Sequence, residues 1–202
     1  YNDGFGLFSR VDDFFMNPGR ASYSIIPGLF IAFGGWQGGQ VAGDQSFHHS
    51  HVEIADEDKM KVALDQAYKA LELNEVPVGA ALFDSNDELI CSDHNRREIN
   101  QDPTAHAEIL VLKAASEKLK SWRLENTTLA VTLEPDPMCA GAIVNARIGR
   151  LIYGAPNEKA GAAWTLFNIP QDPRLNHYVE MIDSVLLEET EELLSSFFEN
   201  RR

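Results

Sequence analysis

From residue 56 onward, apolar and polar positions alternate with two different periods, and the period predicts the element. Met60, Leu64, Ala67, Tyr68 and Leu71 recur at helical spacing, and Asp56, Glu57 and Asp58 ahead of them suit the positive end of a helix dipole. Val78–Phe83 is a short apolar run of small and β-branched residues, which predicts a strand. Ser85-Asn86-Asp87 predicts a turn, and the returning strand begins at 88–91. A helix is predicted over 104–119, behind Pro103, and a strand over 127–133. A second short helix is predicted over 137–146, entered through Pro135-Asp136-Pro137. Strands over 150–154 and 179–185 and an amphipathic helix over 188–198 complete the pattern. This alternation predicts an α/β fold with a central sheet covered by helices on both faces.

The stretch before residue 56 follows different rules. It is rich in Gly and aromatic residues, among them Phe14, Phe15, Tyr23, Phe30, Phe33 and Trp36, and Gly34-Gly35-Trp36-Gln37-Gly38-Gly39 has turn chemistry. One short strand fits within 22–33. Residues 1–55 are expected to be an extension that packs its aromatics on a neighbouring body, with 56–202 as the main domain. So few residues cannot bury a core alone. His48, His49 and His51 are read as a solvated linker, since Ser46 and Ser50 flank them. The run Ile25–Phe33, broken by Pro27 and Gly28, is too short to cross a bilayer, and no signal-peptide flanks accompany it. A cytoplasmic protein without membrane contact is expected.

Composition narrows the chemistry. The chain has 31 acidic against 17 basic residues, a formal charge of -14, and residues 61–202 alone carry 23 and 14. That disfavours a broad electrostatic grip on nucleic acid but leaves room for a local basic patch, for which Arg96, Arg97, Arg147, Arg150, Arg201 and Arg202 are the candidates. Cys91 and Cys139 are the only cysteines, which excludes a disulfide framework and a four-cysteine metal site.

Two helix starts hold the reactive groups. His106 and Glu108 open one. Asp136 and Cys139, three apart and so on one face, open the other. His nitrogen, carboxylate oxygen and thiolate are all zinc donors, and a catalytic zinc takes three protein ligands and keeps one position open. Glu108 is then free to move a proton. The plain alternatives are that Asp136 is an ordinary helix cap and Cys139 a small buried residue.

Pro103-Thr104-Ala105-His106-Ala107-Glu108, with Thr132-Leu133-Glu134-Pro135-x-Pro137-Met138-Cys139-Ala140-Gly141-Ala142, resembles the zinc-dependent cytidine deaminase superfamily. The branch it most resembles is the bacterial tRNA adenosine deaminases. Glu75-Val76-Pro77-Val78-Gly79-Ala80, Asn95-Arg96, Ala146-Arg147-Ile148-Gly149-Arg150, Leu175-Asn176-His177 and the ending Leu193-Leu194-Ser195-x-Phe197-Phe198 extend the likeness from about residue 57 to the end. The resemblance implies a three-layer α/β/α sandwich with a central mixed sheet. It also implies a Zn2+ site of His106, Asp136 and Cys139, and Glu108 as the catalytic proton carrier. Asn95, Gly79, Ala80, Leu133, Glu134 and Asn157 would meet the substrate, with Glu134 also a hydrogen-bond anchor. His177 is read as a loop, rim or core residue, and Phe197 and Phe198 as RNA-contacting or core. The implied reaction is hydrolytic deamination of adenosine to inosine in a tRNA anticodon arm, by a homodimer. The alternatives are deamination of a small nucleobase-containing substrate (a free base, nucleoside or nucleotide) and a non-catalytic deaminase-like binding protein.

One position departs from the pattern. The family writes Pro-Cys-x-x-Cys, and here Asp136 stands for the first cysteine. Asp136 as a zinc ligand, a weakened or empty site in a non-catalytic relative, and an engineered residue or a different metal are the three readings. The first is favoured, because Asp keeps a negative donor in place.

Overall fold

The computed structural model describes residues 54–199 and 201. The expectations for the aromatic extension, its strand within 22–33 and the histidines at 48, 49 and 51 lie outside the described residues.

The main body opens with helix α1 (Ile54–Glu72), followed by strands β1 (Gly79–Phe83) and β2 (Leu89–His94). A one-turn helix α2 (Arg97–Asn100), helix α3 (Ala107–Leu119) and strand β3 (Thr128–Leu133) come next. Helix α4 (Pro137–Ala146), strands β4 (Arg150–Ala155) and β5 (Glu180–Ile182) and helix α5 (Leu187–Glu199) complete it. The strands form one sheet in the order β2-β1-β3-β4-β5. β1 runs antiparallel to β2 and β3, while β3, β4 and β5 are parallel, so the sheet is mixed as expected.

The strand side chains sort the interior by period two. Leu82, Leu129, Val131, Leu151 and Tyr153 face one core with Val111 and Leu112 of α3 and Ile143 and Val144 of α4. Ala81, Phe83, Ala130 and Ile152 face the other, with Met60, Ala63 and Ala67 of α1 and Leu193 of α5. Three layers result. Small residues let the layers meet closely: a Cβ on Gly79 would lie 2.1 Å from the Ala63 carbonyl oxygen and 2.4 Å from the Ala67 nitrogen. A bidentate ion pair, Arg150 Nη1 and Nη2 at 2.5 and 2.9 Å from the fully buried Asp56 carboxylate, ties α1 to β4.

Two differences from the sequence pattern bear on the site. α3 begins at Ala107, not at residue 104, because Asp102 Oδ1 accepts from the Thr104 nitrogen and hydroxyl and holds a turn there. His106 is thereby the extended N-cap residue. α2 is not foreshadowed by any periodicity, being a single turn.

Candidate active site

The loops leading into α3 and α4 converge at the C-terminal end of β3 and bring together the four reactive groups. His106, with φ -74° and ψ 151°, caps α3 without a side-chain bond, so its ring is free to point away from the helix. Asp136 caps α4: its Oδ1 accepts from the Cys139 backbone nitrogen at 2.8 Å, and Pro137 supplies the pre-formed first turn. Its other oxygen, Oδ2, lies 3.4 Å from His106 Nδ1. Cys139 Sγ lies 3.6 Å from the same nitrogen. Both helix N-termini face the cluster and favour its negative charges.

These spacings test the donor set for a metal. A tetrahedral zinc with bonds of about 2.05 Å to nitrogen, 2.1 Å to oxygen and 2.3 Å to sulfur implies N···S and N···O edges of about 3.6 and 3.4 Å. The two measured edges agree. The electrostatics point the same way. Burial pushes the Cys139 thiol up, and the neighbouring Glu108 and Asp136 carboxylates add to this. Burial also pulls His106 down, although Asp136 opposes it. Two carboxylates and a thiol crowded in this way want a divalent cation. His106, Asp136 and Cys139 therefore fit a zinc ion.

His106, Glu108 and Cys139 also bring donor atoms within 4.8 Å of one another. In the set with Asp136, the helix cap already fixes the carboxylate. Glu108 stands beside these donors. Its side chain is buried, and Oε2 has no hydrogen-bond partner. Burial above all, with Asp136 second among the effects that raise it, holds its carboxyl at about 7.

A cavity of about 270 Å³ opens beside this cluster. His106, Glu108 and Asp136 line it, as do Asn95, Leu133, Glu134 and Asn157 from the expected substrate set, and Arg97 and Phe198 complete part of its wall. Gly79 and Ala80 do not line it. Both are buried in β1, Gly79 because α1 presses on it and Ala80 because it belongs to the α3–α4 core. Cys91, half-buried, bonds the Val111 carbonyl and stays outside the cluster.

Glu134 is an anchor in the full sense. One carboxylate oxygen accepts from the Trp164 and Thr165 nitrogens at 2.7 and 2.8 Å, and the other from the Asn157 nitrogen at 3.0 Å and the Thr165 hydroxyl. It thus fixes the 157–165 loop, which delivers Asn157 and Ala160 to the cavity. Gly161 is required beneath it, because a Cβ there would meet Glu134 Oε2 at 2.3 Å. His177 is a loop staple, its Nε2 2.7 Å from the Ile148 carbonyl oxygen. Of the two phenylalanines, Phe197 is core and Phe198 is half-exposed at the cavity.

The expected basic patch is largely committed elsewhere. Arg96 pairs with Asp93, Arg147 with Asn176, Arg150 with Asp56, and Arg201 lies against Asn74 and over the Phe197 ring. Arg202 lies outside the described residues. Arg97, on α2, is the arginine of this group that reaches the cavity wall, a role that sequence spacing does not reveal.

The profile of the MafB19-like deaminase family matches residues 54–202. The chain is 48% identical over 147 residues to the tRNA-specific adenosine deaminase of Bacillus subtilis (strain 168), covering 73% of this chain and 91% of that protein. It is 46% identical over 147 residues to the enzyme of the same description from Haemophilus influenzae, covering 73% and 85%. A structure from a study of A-to-I editing by tRNA:A34 deaminases at the wobble position of transfer RNA superposes with a TM-score of 0.65 at 40% identity, over 68% of this chain and 99% of that one. The guanine deaminase of Nitrosomonas europaea shares the fold, at 24% identity and a TM-score of 0.59, over 73% of this chain and 86% of that one.

Proposed function

The chain belongs to the MafB19-like deaminase family, and from that premise we propose that it converts adenosine to inosine in tRNA, taking up water and releasing ammonia. The observation that carries this reading is the buried, unpartnered Glu108 oxygen beside the His106, Asp136 and Cys139 donors on a cavity of nucleobase scale. Identity of 46–48% to tRNA-specific adenosine deaminases supports the substrate.

His106, Asp136 and Cys139 would hold the zinc. When bound, it lowers the pKa of a water and so supplies the nucleophile for the carbon bearing the exocyclic amine. Glu108, held near 7, takes a proton from the attacking water, passes it to the ring nitrogen, and serves the departing amine in turn. Asn95, nearly buried in the cavity wall, meets the substrate with its amide, and Leu133 and Asn157 close the sides. Phe198 offers a ring edge or face at the opening, and Arg97 a cation for phosphate.

The further readings are a homodimer and a cytoplasmic location. A shallow groove of about 560 Å³ between α3 and α4, bordered by the exposed Trp122, supports the first. Among the described residues no helix is long and apolar enough to cross a membrane.

The test is incubation with an anticodon stem-loop carrying adenosine at the wobble position, with inosine read by mass spectrometry. Free adenosine, guanine and cytidine run in parallel. Inosine in the RNA is expected, and E108Q should lose 10²-fold or more in rate while retaining metal. Turnover confined to free compounds would overturn the substrate, and full activity of E108Q would overturn the mechanism.

A further inference from the structure

Another buried carboxylate stands behind the cavity wall. Glu75 is fully buried, in the turn after α1, and none of the ion pairs described involves it. Its two oxygens have separate tasks. Oε2 accepts from Asn95 Nδ2 at 3.2 Å. Oε1 accepts from the Ile99 backbone nitrogen at 2.8 Å. That nitrogen belongs to the first turn of α2, whose own cap residue, Arg96, makes no side-chain capping bond. Glu75 thus replaces the missing cap from more than twenty residues away.

The two bonds act on one edge of the cavity. Asn95 lies in its wall, and α2 carries Arg97 to the same wall. The Asn95 backbone is fixed by its nitrogen donating to the Val78 carbonyl at 2.9 Å. What remains free is the amide, which has two faces of opposite polarity. Both carboxylate oxygens of Glu75 act as acceptors here, and the atom that Asn95 turns to them is Nδ2. The flipped amide would set its oxygen against a buried carboxylate.

We propose that Glu75 is a positioning residue for the deamination. Its carboxylate locks the amide of Asn95 in one orientation, and so sets the hydrogen-bond polarity that the cavity wall presents to the nucleoside. This rests on the reading that Asn95 meets the substrate.

Glu75→Gln isolates the effect. The replacement has the same shape, and its oxygen still accepts from the Ile99 nitrogen. Its amide nitrogen then faces Asn95, and the pair is satisfied only if Asn95 turns over. Stability is conserved while the polarity reverses.

The experiment measures kcat and KM on the wobble stem-loop RNA for wild type, E75Q, N95A and E75Q/N95A. Metal content and thermal midpoint are measured on each. E75Q is expected to lose at least 10-fold in kcat/KM, with metal and midpoint close to wild type. E75Q/N95A should match N95A within about twofold, because Glu75 acts through Asn95. Exchanging the partners in E75Q/N95D restores the bond but puts a carboxylate in the wall, and should stay impaired despite normal stability. E75Q within twofold of wild type while N95A loses 10-fold overturns the role of Glu75. Independent, additive losses in the two variants overturn it as well. If N95A itself is as active as wild type, the reading of Asn95 fails instead. Should E75Q not fold, hydrogen exchange of the Asn95 side-chain amide in the wild-type protein decides. Protection is expected, and exchange at the rate of an exposed amide overturns the proposal.

Discussion

Replacing Glu108 by Gln should make the metal-free protein more stable, and only above a defined pH. The Glu108 carboxyl ordinarily ionises near 4.5 and is held at about 7 in the fold, chiefly by burial. In the unfolded chain it loses its proton as pH rises through 4.5, while the folded chain keeps it to about 7. Between these values the folded state binds more protons, so stability falls as pH rises. The gap is worth about 3 kcal/mol, absent below pH 4.5 and complete above 7. Gln has the shape of the protonated acid and no titration. The metal-free E108Q variant should therefore equal wild type near pH 4.5 and exceed it by about 3 kcal/mol at pH 8. His94 and His106, both pulled down by burial, lose stability toward acid instead. They are present in both proteins, so the difference between the two isolates Glu108. Urea denaturation of chelator-treated protein at half-unit steps from pH 4.5 to 8 reads it directly. A difference that does not change with pH would refute the argument, as would an E108Q protein less stable than wild type at pH 8.

Three other substitutions follow from the same geometry. Glu134→Gln puts an amide where only acceptors fit, since each carboxylate oxygen receives two donors. It should cost about 1–3 kcal/mol in urea denaturation and loosen the 157–165 loop, seen as faster hydrogen exchange at the Asn157, Trp164 and Thr165 nitrogens. Gly79→Ala forces a methyl into the α1 backbone and should cost about 1–3 kcal/mol or more, read as a lower denaturation midpoint with metal content per folded chain unchanged. Asp136→Ala removes the cap of α4 together with the carboxylate proposed as a zinc donor. Metal retention after dialysis should fall, and the metal-free protein should lose about 1 kcal/mol, the usual worth of a cap.

What could be read from the chain and what could not divide along physical lines. Strands β1, β3 and β4 follow from continuous apolar runs, because central strands are covered on both faces and need little else. α4 is found to the residue because Asp136 and Pro137 mark its start chemically. The start of α3 is misread by three residues, since a side-chain turn at Asp102 competes with the helix and leaves no trace in periodicity. The four reactive groups are visible as residue types at helix starts, but the positions beside them are not equivalent. Leu133, Glu134, Asn95 and Asn157 reach the cavity, whereas Gly79 and Ala80 are consumed by packing. The part played by Glu75 is not legible in the sequence, because it lies in contacts made across twenty residues or more, which no local pattern encodes.

Asp136 shows how one side chain can carry two of the readings that the sequence left open. A cysteine at a helix start has a weak acceptor for the backbone nitrogens there. A carboxylate has two strong ones. In this chain Oδ1 takes the Cys139 nitrogen, which fixes the side-chain rotamer, and Oδ2 is left at a ligand's distance from His106. The ordinary-cap reading and the metal-donor reading are therefore compatible, one for each oxygen. As a donor it would keep the negative charge of a thiolate, while its harder oxygen would weaken the preference for soft metals. A residue that merely filled space would have needed neither oxygen in place.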